Sequence, residues 1–171
     1  MPRKKPAKPA TEPAEKIWPA EKVEKWPIEK LTAYERNPRT HPEAQIKQIM
    51  ASIEEWGWTV PIVVDETGMI IAGHGRVMAA ERLGLTEIPV MIARGWTEAQ
   101  KHAYIIADNQ IPMNGGWDEQ LLRVELTSLA KLDYPLTLVG FDDVRLATFM
   151  GGTDGESDPD EEVEPEAVAI S

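Results

Sequence analysis

The stretch Met69-Ile-Ile-Ala-Gly-His-Gly-Arg-Val-Met-Ala-Ala-Glu-Arg-Leu-Gly84 decides how this chain folds. Its apolar run, Met69 to Ala72, reads as a strand that stops at Gly73-His74-Gly75-Arg76. A helical pattern follows from Arg76 to Leu83, and Gly84 closes it at the position where a left-handed glycine commonly ends a helix. A strand that feeds a glycine-bounded turn into a helix leaves several backbone N–H groups without intrahelical acceptors. The helix dipole adds partial positive charge at the same point. Gly73 and Gly75 carry no Cβ, so a ligand can approach the backbone closely, and Arg76 adds a planar fork of donors. Gly73, His74, Gly75 and Arg76 are therefore candidates for an anion site, most of all for phosphate. The same residues also fit an ordinary strand-to-helix junction that binds nothing.

Working outward, Pro42 suits the first turn of a helix, and Ile46, Ile49, Met50, Ile53 and Trp56 recur at helical spacing until Gly57. That stripe reads as core. Val60 to Asp65 reads as a strand joined to Met69–Ala72 by a tight turn at Glu66-Thr67-Gly68, and Ile88 to Ala93 reads as another strand. Thr97 followed by Gln100 matches a capping box that starts a helix running to about Asn109. Asp118 caps a further helix, and Phe141 to Met150 reads as a short final one. Strands mixed with helices over short loops predict a small α/β (mixed α+β) domain at 28–112, with a helical extension at 113–150. Residues 1–27 read as a disordered Pro/Lys-rich tail in which Trp18 and Trp26 are unusual, and 151–171 as a disordered acidic tail.

The 171 residues contain no cysteine, which excludes a disulfide framework, a thiolate metal site and a cysteine nucleophile. No apolar run reaches membrane-spanning length, and a cytoplasmic location with no membrane partner is expected. Net charge is −11, unevenly placed: residues 1–30 carry eight Lys/Arg against five Glu, and residues 151–171 carry eight Asp/Glu and no base. Lys4, Lys5 and Lys8 could touch nucleic acid, whereas the acidic body argues against broad nonspecific duplex binding.

A longer set of residues carries a resemblance. Asn37-Pro38, the Ile46–Trp56 stripe, Val60-Pro61-Ile62-Val63-Val64, Gly68, Gly73-His74-Gly75-Arg76, Ala79-Ala80, Leu83-Gly84 and Ile88-Pro89-Val90 follow in an order that resembles the N-terminal domain of the ParB/sulfiredoxin superfamily. The continuation Ile106-Ala-Asp-Asn-Gln110, Gly116-Trp117-Asp118-Glu119 and Gly140-Phe141-Asp142-Asp143 is similar to ParB-like domains of phages and mobile elements, often associated with DNA methyltransferases. The resemblance implies a cofactor, CTP or another nucleoside triphosphate with Mg²⁺. The family's Gly-Glu-Arg-Arg loop contacts its phosphates, and an acidic-Asn pair follows further on. Gly73 and Arg76 match the ends of that loop, Asp108 and Asn109 match the pair, and Arg39 is a further basic contact in the region that lines the pocket. His74 stands where the family has Glu, and Gly75 where it has the first Arg, which removes one cation and the acidic group expected to act in hydrolysis. Sulfiredoxin activity is excluded, because its loop cysteine is replaced by His74.

Three functions remain open from the sequence. The first is a nucleotide-binding, DNA-associated accessory protein, of phage or mobile-element origin, beside a DNA methyltransferase or phage DNA-processing enzyme. It would contact DNA weakly or indirectly, and homodimer formation is one assembly the resemblance allows. The second is a small phosphotransferase, nucleoside triphosphatase or nuclease with His74 and Asp108 as catalytic groups. The third is a ligand-free adaptor. His41 and His102 are too scattered in sequence to suggest a metal site with His74. With only Arg123 and Lys131 as bases between 118 and 132, no basic recognition helix is evident, and no helix-turn-helix domain is expected after residue 112.

Overall fold

A computed structural model describes residues 22–151, and contacts divide the chain into two units, 1–116 and 117–171. The expectations for Lys4, Lys5, Lys8 and Trp18, and for the acidic segment after residue 151, fall outside the described residues.

The first unit is built on a four-stranded mixed sheet of β1 (Val23–Pro27), β2 (Ile62–Val64), β3 (Ile70–Ala72) and β4 (Glu87–Ile92), in the order β1-β4-β2-β3. β1 runs antiparallel to β4, β4 parallel to β2, and β2 antiparallel to β3. The β2–β3 turn forms as expected, with Asp65 Oδ1 accepting from the backbone N–H of Thr67 and Met69 at 2.9 and 3.0 Å and Gly68 at φ 92°. Helices α1 (Glu43–Trp56), α2 (His74–Arg82) and α3 (Glu98–Gln110) belong to the same unit, with 3-10 turns at Ile28–Lys30 and Ile111–Asn114.

Alternate residues of each strand face opposite ways. On one face Ile62, Val64, Ile70, Ile88, Val90 and Ile92 meet Val77 and Ala80 of α2, and on the other Val63 and Ile71 meet Ile105 of α3. α1 packs along α2, with Ile46 fully buried and Arg82 paired with Glu43. Two helix ends follow their sequence signals closely. Gly84 has φ 70°, and the bonds Leu85 N–H to Ala80 O and Gly84 N–H to Glu81 O, 3.0 and 3.1 Å, make a Schellman motif. Thr97 and Gln100 form the reciprocal capping box at the start of α3.

Three expectations are corrected. β1 forms inside the segment read as a tail, as an edge strand whose Trp26 packs on the core with its Nε1–H donating to Glu24 at 2.9 Å. Trp56 is not core: it is the last residue of α1 and stays half exposed, with Gly57 at φ 75° turning the chain away. α2 begins at His74 rather than Arg76, because Gly73 takes the left-handed N-cap conformation itself.

The second unit contains α4 (Glu119–Lys131), a 3-10 turn at Leu136–Val139 and α5 (Asp143–Met150). Asp118 and Asp142 cap its helices through their side chains. Leu126 is buried, and Trp117, Phe141 and Phe149 meet edge to face at 5.7 and 5.4 Å between ring centres.

Candidate functional site

Beyond the C-terminal end of the edge strand β3, Gly73 turns the chain into α2 with φ 101° and ψ 21°. A side chain could not replace its hydrogen without displacement: a Cβ there would lie 2.5 Å from Ile62 Cγ2, in the core. The first backbone bond of α2 runs from Val77 N–H to Gly73 O at 3.1 Å. The N–H groups of His74, Gly75 and Arg76 therefore have no intrahelical acceptor, and no side chain caps them.

A cleft of about 150 Å³ opens at this helix end, lined by Asn37, His41, Gly73, His74, Gly75, Arg76, Asp108 and Asn109, with Ile49 at its wall. It touches two neighbours. One of about 370 Å³ shares Asn37, His41 and His74 with it and includes Arg39 and Tyr34. The other, about 190 Å³, shares Ile49 and Arg76 and includes Trp58, Thr59 and Val60. Six of the seven residues singled out in the sequence thus line one cleft, and Arg39 lines the adjoining one.

The side chains have defined surroundings. His74 Nε2 accepts from the Tyr34 backbone N–H at 3.4 Å, which leaves the proton of the neutral ring on Nδ1. Burial, with a smaller contribution from the charge of His41, pushes the His74 pKa below its ordinary value and favours that neutral ring. Arg76 is more committed than the sequence suggested: its Nη1 donates to the carbonyls of Val60 and Pro61, the latter at 3.0 Å. Its Nη2 stays beside Gly73, 3.2 Å from where a Cβ would be. Burial lowers the Arg76 pKa, and the Asp108 carboxylate opposes that shift.

Asp108 and Asn109 stand on the last turn of α3, where Asn109 Nδ2 donates to Ile105 O at 2.7 Å and Asp108 bonds Tyr104. α3 is fixed to the sheet by Ile105 and by Lys101, whose ammonium reaches Asp65 at 3.0 Å and Glu98 at 2.8 Å. Burial alone would raise the Asp65 pKa, but hydrogen bonds from Thr67, Lys101 and Met69 outweigh it and hold the carboxyl below its usual range. Arg39 closes an Asx turn with Asn37, N–H to Oδ1 3.1 Å, and its Nη1 lies 3.6 Å from Met113 Sδ.

Sequence reading missed His41 as a lining residue, whereas Asn37 belongs to the Asn37-Pro38-Arg39 segment that the resemblance placed at the pocket. His41 reaches the cleft because α1 packs on α2 at Gly75: a Cβ there would lie 3.0 Å from His41 Nδ1 and 3.1 Å from Ile49 Cδ1. Gly75 is thus a contact point between helices as well as part of the cleft wall. His102 instead stacks on Tyr34 at 5.2 Å.

Residues 12–109 match the ParB N-terminal domain. The chain belongs to that family. Residues 120–171 also match the ParB-methyltransferase HTH domain, which overturns the expectation that no helix-turn-helix domain follows residue 112. The ParB-like nuclease domain-containing protein YnaK of Escherichia coli is 49% identical over 75 residues, covering 44% of this chain and 86% of YnaK. The chromosome-partitioning protein ParB of Myxococcus xanthus is 35% identical over 91 residues, which are 51% of this chain and 30% of that protein. The ParB-family fold is shared with the C-terminally truncated chromosome-partitioning protein ParB of Caulobacter crescentus, solved in complex with CTP-γ-S. That likeness has a TM-score of 0.57 at 22% identity, over 77% of this chain and 86% of the other. No helix among the described residues is long and apolar enough to cross a membrane.

Proposed function

We propose that this chain is a nucleotide-binding, DNA-associated accessory protein of the ParB type, and that the cleft at the start of α2 holds the phosphates of CTP or another nucleoside triphosphate. The observation that carries this reading is convergence. Gly73, His74, Gly75, Arg76, Asp108 and Asn109, from two separate stretches of sequence, line one cleft at an uncapped helix N-terminus.

The backbone N–H groups of residues 74–76, the His74 Nδ1–H and the Nη2 edge of Arg76 are the donors for phosphate oxygens. Asn109 contacts the phosphates from α3, and Arg39 guards the approach from the larger cleft. A volume of about 150 Å³ suits phosphates rather than a whole nucleotide, so the nucleoside lies in a flanking cleft. Mg²⁺ enters as part of the nucleotide complex. Gly75 removes a cation and His74 removes an acid, so occupancy rather than turnover is the signal.

The match to the ParB-methyltransferase HTH domain supports a role beside a DNA methyltransferase. A phage DNA-processing enzyme as the alternative partner, a cytoplasmic location and a homodimer complete the proposal. Residues 117–151 hold three Lys/Arg against six Asp/Glu, so DNA contact is weak or is shared with that partner.

Calorimetric titration with Mg-CTP, Mg-ATP and Mg-GTP, alongside Arg76→Ala and Arg76→Lys, tests the reading. One nucleotide is expected to bind with micromolar affinity, more weakly to Arg76→Lys and not measurably to Arg76→Ala. Absence of binding by folded protein contradicts it. Phosphate release in the same samples above the buffer rate would favour the alternative in which His74 acts as a general base.

A further inference from the structure

We infer that His41 is a phosphate ligand that takes up a proton when nucleotide binds, while His74 stays neutral and donates from Nδ1. The inference rests on the nucleotide reading above and assigns a residue within that site.

The two rings share a cleft but differ in what they have to give. His41 Nδ1 faces Gln45 Oε1 at 3.0 Å, so that nitrogen carries the proton and Nε2 holds the lone pair. Protonating Nε2 adds a donor and leaves the bond from Nδ1 to Gln45 in place. His74 is the reverse. Its Nε2 already accepts from the Tyr34 N–H, and protonation there would set two donors against each other. His74 is also the ring whose burial disfavours the charged form.

The charges around His41 leave room for one more cation once phosphate is present. From α2 it shares the clefts with His74, Arg76 and, at the far side of the larger one, Glu81. α3 contributes Asp108, and its own loop contributes Arg39 and the Tyr34 ring. Gln45 on α1 is uncharged. Arg76 spends one nitrogen on the carbonyls of Val60 and Pro61, and Gly75 supplies no side chain. A triphosphate carries several negative charges, and imidazole changes charge near neutral pH, so an adjacent phosphate draws a proton onto the ring with a free lone pair. Gly75 is what admits the ring: its missing Cβ leaves His41 against the helix end.

Mg-CTP, Mg-ATP and Mg-GTP are titrated at pH 7 in two buffers of very different ionisation enthalpy, with wild type, His41→Gln and His74→Gln. The wild type is expected to take up about half a proton or more per nucleotide, read from the difference in apparent enthalpy. His41→Gln loses that difference and His74→Gln keeps it. A second measurement needs no variant. The chain has three histidines, and their ring resonances are followed against pH with and without nucleotide. Nucleotide is expected to move the His41 ring resonances toward their acid-form positions at pH 7 and to leave those of His74 at their neutral-form positions. Binding with the same enthalpy in both buffers, uptake that survives in His41→Gln, or a move toward the acid form confined to His74 overturns the inference and leaves the nucleotide reading standing. No binding of any of the three overturns both.

Discussion

Replacing Gly73 by alanine puts a methyl group where the structure has no space and no suitable backbone. The residue sits at φ 101°, and for an L-residue that left-handed conformation costs about 1–2 kcal/mol. The new Cβ would lie 2.5 Å from Ile62 Cγ2 and 3.2 Å from Ile62 Cβ. Ile62 is fully buried and its strand pairs in parallel with β4, so the collision passes into the core instead of out to solvent. Overpacking of this kind costs about 1–3 kcal/mol. The two effects together give a loss of about 2–5 kcal/mol, a large part of the stability of a small domain. Gly84→Ala is the internal control: φ is 70° there too, but nothing lies within 4 Å of the added Cβ, so backbone strain acts alone. Urea unfolding followed by circular dichroism should show a fall in midpoint at constant slope for both variants, about one and a half to four times as large for Gly73→Ala. Equal losses, or a loss below about 1 kcal/mol at Gly73, would refute the claim that this turn is wedged against Ile62.

Other outcomes follow from the same structure. Lys101→Met strands the buried Asp65 carboxylate and should cost about 3 kcal/mol by the same assay, with part of the loss recovered in Asp65→Asn/Lys101→Met. His74 titrates below its ordinary value of 6.5 when folded, so the unfolded chain binds its proton first and stability falls as pH drops through that region. His74→Gln should flatten the stability–pH curve between about pH 7 and 5, and an unchanged curve would mean the ring is not held neutral by the fold. Trp26→Ala should cost about 3 kcal/mol, because the ring packs on the main core cluster, and a loss of under about 1 kcal/mol would mean that β1 is not docked in solution.

Those parts of the fold were legible that are decided within a few residues. Gly84 ends α2 because a left-handed residue is needed there, and Thr97 with Gln100 caps α3 through bonds that span three positions. The glycine turn was legible as an uncapped strand-to-helix junction for the same reason, and the Asp108-Asn109 pair that lines the same cleft was singled out through the family resemblance. What stayed hidden depends on distant partners. β1 has no clean alternation in Val23-Glu-Lys-Trp-Pro27, and becomes a strand only because β4 offers an edge with Val23 opposite Met91. His41 joins the cleft only because α1 crosses α2 where Gly75 has no side chain. Arg76 looked like a free fork, but the chain returning at Val60 and Pro61 takes one of its nitrogens. The second unit misled for another reason: basic residues were the signal sought, whereas its match lies in a chain segment with few of them.

The most direct test of the central claim is a map of backbone amide shifts in the ¹⁵N-labelled chain on addition of Mg-CTP, Mg-ATP or Mg-GTP. The account predicts that the largest changes fall on the N–H groups of His74, Gly75 and Arg76, with a second set at Asp108 and Asn109 and little change across residues 117–151. Saturable binding whose largest shifts lie elsewhere, with residues 74–76 unmoved, would contradict it.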